Sequence, residues 1–343
     1  MPHSVQNVLK LRWGMLASRE TAAIRGIELL GKASVQWAEI PGEYLVDAGD
    51  LDLAELLSLC RARQVQIWSV RMPFRGHDDI ADPDEANRRR TVQLYGELIR
   101  KTSVLGCRTA VLTPSHQKSE EIHPDDIVSS VCRSLDELLP LAERYGVRLA
   151  LKNLLPPYFG CLPAHFEMIL GLYDSPHLGC CFDTGHAHLT NCFEEMLNAM
   201  WPRMLNLHLH DNMADRDWHF QPGYGNAPFE LLFARMQRDG WDSPAIVEAR
   251  PWGQFDGNRM FLELDALVNS LVGGSEDYPR LFAPGGMLGL DWPTDWIGRT
   301  IMRCPLSGHF VVFHQNRAST PAREWEFEAD NADSRSGVFL RKS

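Results

Sequence analysis

Eight short β-rich runs, each followed by a longer amphipathic stretch, fill the chain up to Gly274. This rhythm leaves few folds open, because strands regularly separated by helices read as βαβ units of a parallel sheet. The predicted strands cover 9–16, 34–40, 65–70, 109–113, 148–154, 178–183, 205–210 and 245–249. Between them lie helix-period segments such as LAELLSLCRAR, IVSSVCRSLDELLPLAERYG and FELLFARMQRDG. Gly106, Gly146 and Gly240 each close such a segment just before the next strand, where a helix C-cap belongs. Eight such units in about 270 residues match an α/β fold of the (β/α)8 barrel type in count and length. A doubly wound sheet is the runner-up, but no G-x-G-x-x-G follows an early strand to support it.

Past Gly274 the rhythm changes. The segment from Ser275 is rich in Pro, Gly and Trp and holds one further strand-like run, GHFVVFHQN. The expected organisation is therefore a barrel over 1–274 with a C-terminal appendage over 275–343. Trp292 and Trp296 in the appendage suit packing onto the barrel or onto a second copy, which leaves a homo-oligomer open.

Composition narrows the partners. Lys and Arg number 34 against 45 Asp and Glu, a formal charge of -11, and this excludes a generic polyanion binder, so no nucleic-acid partner is expected. No apolar run approaches the roughly 18 residues of a membrane span, and the first residues lack the three-part pattern of a signal peptide. A cytoplasmic chain without a membrane partner is expected. The eight cysteines form no C-x-x-C pair, which argues for small core residues in a reducing compartment rather than a zinc knuckle.

In a barrel of this kind the C-terminal strand ends line the active-site mouth, and side chains alternate inward and outward along each strand. In MLNLHLHDN that parity turns Asn206, His208 and His210 toward the axis. The same reading puts Asp183 at the inner end of LGCCFD, with His186 and His188 in the turn beyond, and puts Glu248 and Arg250 on the inner side of AIVEARPW. Lys152, with Asn153 next to it, ends VRLALKN. A lone inward His or Asp is more often a hydrogen-bonded structural residue. Four consecutive strands ending in Lys152, Asp183, His208 and Glu248 argue instead for a site, one suited to a divalent ion such as Mn, Mg, Co or Zn.

The pieces ALKN, FDTGH, HLHDN, the D-x-H of Asp217 and His219, QPGYGNAPF and IVEAR stand in order over roughly residues 8–272. Together they resemble the xylose isomerase-like TIM barrel superfamily, which includes sugar-phosphate isomerases and epimerases, hydroxypyruvate isomerase, inosose dehydratase and the endonuclease IV type of apurinic endonuclease. The resemblance implies a metal held by carboxylates and a histidine from successive strands. Carried over by position, the ligands are Asp183, His208 and Glu248, with Asp217 and His219 as further ligands and His186 as a substrate or second-metal residue. It also implies a departure: Lys152 stands where the family has its first glutamate. A protonated ammonium cannot ligate a cation and repels it at close range. The endonuclease branch adds histidines on earlier strands, whereas Arg71 and Thr113 stand near those places here, with His77 and His116 in loops nearby.

The expectation drawn from the resemblance is a metal-dependent isomerase or epimerase, or a related lyase. It would act on a small sugar-like polyhydroxy carbonyl compound by proton transfer next to the carbonyl. Glu248, Lys152 and His186 are the expected catalytic groups, and His186, Asn153, His210, Arg216, Trp218 and Arg250 the expected substrate contacts. The alternative is a degenerate, metal-free barrel that binds a sugar-like ligand or a protein partner without turnover. Lys152 motivates it, through ion pairs with Asp183 and Glu248 in the cation's place. The run Arg88 to Arg90 reads as a solvated helix face.

Overall fold

A computed structural model of the chain describes residues 12–16, 23–32, 35–74, 78–118, 120–249, a few positions over 264–271, and four short strands between 299 and 341. Eight parallel strands close into a barrel in sequence order: β1 (Arg12–Leu16), β2 (Trp37–Pro41), β3 (Gln66–Arg71), β4 (Thr109–Leu112), β5 (Arg148–Lys152), β6 (Leu178–Asp183), β7 (Met204–Leu209) and β8 (Pro244–Val247), with β8 returning to pair with β1. Each falls within or overlaps one of the eight predicted runs. β6 is buried at all six positions and β8 at all four, as expected of strands covered on one face by helices and on the other by the barrel interior.

The helices form because their apolar residues recur at helical spacing. In α5 (Pro124–Tyr145), Ile127, Val131, Leu135, Leu138 and Ala142 are buried along one stripe, and the helix packs beside α4 (Glu85–Val104), where Arg88 meets Ser134 and Ser103 donates to the Tyr145 carbonyl. Asp84 caps α4 by accepting from the amides of Ala86 and Asn87. Gly146 and Gly240 are the C-caps of α5 and of α9 (Phe229–Asp239) at φ 65° and 68°, and Gly106 follows the α4 cap at φ 71°. Within α4 the reading of Arg88 as solvated is corrected. Its guanidinium is 2% exposed and donates to Glu85, Ser134 and Glu137, so it ties α4 to α5, while Arg89 and Arg90 are exposed. Helix period turns every third or fourth residue inward, and Arg88 shares its face with Thr91, Val92 and Tyr95.

Register fixes what reaches the mouth. Asp183 pairs with His208, Lys152 with Cys181, and Leu209 with Val247, so Lys152, Asp183, His210 and Glu248 emerge at one rim of the barrel. A shift in pairing between Ala38 and Glu39 sets Glu39 opposite Ser69, which donates to it at 2.6 Å. Among the described residues no helix is long and apolar enough to cross a membrane. Cys60, Cys107, Cys161, Cys180 and Cys181 are buried and unbridged.

The chain divides into two compact units. One comprises Met1–Ala249 with Gly257–Gly274, and the other Arg250–Asp256 with Ser275–Ser343. The described part of the second unit is two antiparallel pairs: β9 (Arg299–Arg303) with β10 (Phe310–His314), which falls in GHFVVFHQN, and β11 (Trp325–Ala329) with β12 (Gly337–Arg341). His77, Arg250, Trp292 and Trp296 lie outside the described residues.

Candidate active site

Asp183 is the hub. It ends β6 and caps α7 (Thr184–Leu189), accepting from the His186 amide at 3.0 Å. One carboxylate oxygen, Oδ1, also lies 2.7 Å from His210 Nε2, and the other, Oδ2, accepts from Lys152 Nζ at 3.0 Å and lies 3.3 Å from His186 Nδ1. Burial works against ionising Asp183, but His186, His210 and Lys152 overcome it and hold its carboxyl well below the usual range. Lys152 is the mirror case. Burial favours its neutral amine, yet the carboxylates of Asp183 and Glu248 raise its pKa above that of an ordinary lysine, so it stands in the mouth as an ammonium.

Below the rim lies a second group. His208, fully buried, holds Nε2 2.9 Å from Glu39 Oε2 and Nδ1 3.1 Å from Glu248 Oε1. Glu39 also accepts from Ser69 and from Asn206, and Asn206 in turn accepts from the Trp68 indole at 2.9 Å. Burial lowers the His208 pKa and the two glutamates raise it, with the net shift upward. Burial likewise opposes ionisation of Glu248, but His208, Lys152 and Arg71 outweigh it and hold the carboxyl below its usual range.

Toward the outside, the loop after β7 brings a third group over the rim. Asp211, buried, accepts backbone amides from Asn212, Gly223, Gly225 and Ala227, and its backbone bridges to Phe220. These bonds fold the loop back so that Asp217 and His219 face His186 and His210. His219 takes φ 53°, a left-handed conformation that is costly for a residue with a Cβ and found most often where function requires it. Its ring stacks on that of His210 with centroids 4.0 Å apart.

The three imidazoles of this outer group share one arrangement. His186 Nδ1 lies 2.9 Å from the Asn153 carbonyl, His219 Nδ1 2.8 Å from the Glu248 carbonyl, and His210 Nε2 2.7 Å from ionised Asp183. Each of those oxygens only accepts, so each ring donates there, and the other nitrogen of each faces Asp217 at 3.1 to 3.7 Å. His210 Nδ1 and Asp217 Oδ1 have no hydrogen-bond partner. Donor atoms of all four residues lie within 4.8 Å of one another. Histidines that spend one N–H on an oxygen and converge with the other nitrogen on a carboxylate are the usual surroundings of a borderline cation.

The geometry regroups the residues picked from the sequence. The histidine that meets Asp183 and Glu248 is His210, whereas His208 meets Glu39 and Glu248. The two positions share strand parity, but His208 lies inside β7, one layer below the rim reached by His210. Asn153 spends its amide on the backbone of Asp183, at 3.0 and 2.7 Å, and so positions that carboxylate. Arg216 is exposed and stacks over Trp218, whose indole donates to Asp215 and packs on Phe220. Sequence reasoning missed Glu39; its signal was a lone acid among the apolar residues of WAEIP.

The family model described as xylose isomerase-like TIM barrel matches residues 20–263. An uncharacterized protein of Methanocaldococcus jannaschii is 27% identical over 175 residues, which cover 49% of this chain and 59% of that relative's length. Among solved structures, a D-tagatose 3-epimerase-like protein superposes with a TM-score of 0.69 at 22% identity, over 77% of this chain and 99% of its own. A 3-keto-D-glucoside 4-epimerase from E. coli superposes at 0.65 and 16% identity, over 75% of this chain and 100% of its own.

Proposed function

Because the chain belongs to the xylose isomerase-like TIM barrel family, we propose that it is a divalent-metal-dependent isomerase or epimerase. Its substrate would be a small sugar-like polyhydroxy carbonyl compound, and its chemistry a proton transfer at the carbon next to the carbonyl. The observation that carries this reading is the outer group, in which His186, His210 and His219 each turn a second ring nitrogen toward Asp217. Those four residues fit a cation, and three nitrogens with one carboxylate favour zinc or cobalt over magnesium. The group of Asp183, His210 and Glu248 fits one less well, because the Lys152 ammonium is bonded to Asp183. When bound, a divalent ion supplies Lewis-acid polarisation of a substrate oxygen.

The chain's own residues supply the rest. Glu248 is ionised, and its Oε1, 3.1 Å from His208 Nδ1, makes no hydrogen bond among the described residues, so it is the group that would take a proton from carbon. Lys152, kept charged by Asp183 and Glu248, donates toward the oxygen on which negative charge develops. His186 offers its second nitrogen to a hydroxyl or to the cation. Epimerase chemistry is what the names of these structural neighbours describe for them, and a base facing a charged donor suits such a step.

The reading is tested by incubating the protein, with and without added zinc, with a panel of ketoses and keto sugars in deuterated water. Deuterium entering the C–H next to the carbonyl, and lost in Glu248→Gln, is the expected result. One observation favours a second reading: the Lys152 to Asp183 ion pair puts a cation where the family holds metal. If no substrate exchanges and no ion is taken up, the barrel binds a sugar-like ligand without turning it over.

A further inference from the structure

Arg71 ends β3 at the same rim, and its side chain is 7% exposed. Its Nη1 lies 3.9 Å from Glu248 Oε1, a long contact, while Nε and Nη2 have no hydrogen-bond partner among the described residues. A guanidinium cannot shed its charge by deprotonation, so buried donors left open are expensive. The other buried arginine among the described residues provides the comparison. Arg88, equally enclosed, spends Nε, Nη1 and Nη2 on Glu85, Ser134 and Glu137. Arg88 holds helices together, whereas Arg71 is held ready for something else.

Nε and Nη2 form one flat edge of the guanidinium, with two parallel N–H bonds at the spacing of two oxygens of a carboxylate or phosphate. Neighbouring hydroxyls of a neutral sugar can accept from both, but they leave the buried positive charge uncompensated. Lys152 ends β5 at the same rim as Arg71 ends β3, so two cations share the mouth and repel each other. A substrate oxyanion would relieve that repulsion. Glu248 alone does not, since it faces His208 as well and reaches Arg71 only at 3.9 Å.

We infer that Arg71 is the anion-recognition residue of this site and that the substrate carries an oxyanion, a carboxylate or a phosphate, bound side-on by Nε and Nη2. This rests on the proposed sugar isomerase reading for the remainder of the substrate. It makes the preferred compound a keto sugar acid or a ketose phosphate, with the acid group on the Arg71 side of Glu248.

The test is calorimetric binding to the full chain of three probes: 2-keto-D-gluconate, D-fructose 6-phosphate and neutral D-fructose. The expected result is that one of the acidic probes binds at least tenfold more tightly than D-fructose, and which one does so separates the carboxylate from the phosphate. Arg71→Lys keeps the charge and removes the bidentate edge, so it should weaken the acidic probe about tenfold and leave D-fructose within about twofold. Arg71→Gln is the second variant; if both variants misfold by circular dichroism, the wild-type preference decides alone. Equal affinity of the wild type for acidic and neutral probes overturns the inference, as does an acidic probe indifferent to Arg71→Lys in a folded variant. The two proposals fail separately. Deuterium exchange into neutral ketoses but not acids keeps the isomerase reading and removes this one. Arg71-dependent binding of an acid with no exchange does the reverse.

Discussion

Lys152 Nζ lies 3.0 Å from Asp183 Oδ2, and both side chains are almost wholly enclosed, at 7% and 0% exposure. The ammonium stands at the position to which the resemblance read from the sequence assigns a glutamate. Asp183 also has His210 and His186 against it, so the lysine supplies one of three positive or donating neighbours. Lys152→Met should therefore destabilise the fold by about 3 kcal/mol, the low end for breaking a buried pair, as read by urea unfolding at pH 7. Lys152→Glu should do more in the absence of metal, since it sets three carboxylates together. Added zinc or manganese should then raise its melting temperature further than that of the wild type, and a smaller shift would contradict the placement of Lys152 at the cation's position.

Much of this was legible along the chain, for reasons that differ from residue to residue. The strands could be read because short apolar runs and the capping signals that end the helices before them are local, as at Gly146 and Gly240. The inward side of β7 could be read from parity, which named Asn206, His208 and His210 together. Parity does not reveal depth, and depth separates His208, which meets Glu39, from His210, which meets Asp183. The partners of Glu39 lie 30, 167 and 169 residues away and are set by barrel closure and a pairing shift, so nothing near WAEIP announces them. Asp217 and His219 were visible as a D-x-H pair, but their approach to His186 depends on the Asp211 carboxylate gathering amides up to 16 residues downstream. The burial of Arg88 was hidden by its exposed neighbours Arg89 and Arg90, which made the run look like one surface stripe.

Arg88 provides a stability prediction. Its partners Glu85 and Glu137 are partly exposed and can return to solvent, so Arg88→Ala should cost less than a sealed ion pair. Lost packing and the unpaired Ser134 hydroxyl remain, and about 2 kcal/mol is expected. Arg89→Ala, which removes an exposed pair with Glu85, should cost under about 0.5 kcal/mol. Chemical unfolding of the two variants side by side should show that ordering, and equal costs would deny Arg88 its role between α4 and α5.

His165 sets a pH dependence. It is 5% exposed, its Nδ1 accepts from the Gly160 amide at 2.9 Å, and its ring stacks on Phe159. Burial lowers its pKa to about 4 from the ordinary histidine value of 6.5. Between those values the unfolded chain binds the extra proton and the folded chain does not, so stability rises with pH over that window and is lost on acidification from about 6.5 toward 4. The loss attributable to this residue is on the order of 3 kcal/mol. His165→Asn keeps an acceptor for Gly160 without titrating. Its unfolding free energy should be lower at pH 7 but flatter between pH 4 and 6.5, and an unchanged slope would remove His165 as the source.

Gly185 links the helix after β6 to the outer group. It is the second residue of α7, and a Cβ built there falls on the His210 ring at Cε1 and Nδ1. Alanine would gain about 1 kcal/mol of helix propensity, but overpacking in a filled interior costs about 1–3 kcal/mol, and here the yielding group is an imidazole bonded to Asp183. The overlap should win. Gly185→Ala is expected to push His210 away from Asp183 and turn its free nitrogen off Asp217. Stability should fall by about 1 to 2 kcal/mol, from overpacking and the lost hydrogen bond set against the helical gain. Zinc uptake, followed by elemental analysis after dialysis against a limiting zinc buffer, should fall about tenfold, the usual scale for disturbing a histidine ligand's support. Wild-type zinc affinity in a folded Gly185→Ala protein would take His210 out of the ligand set and leave His186, Asp217 and His219 as the whole of it.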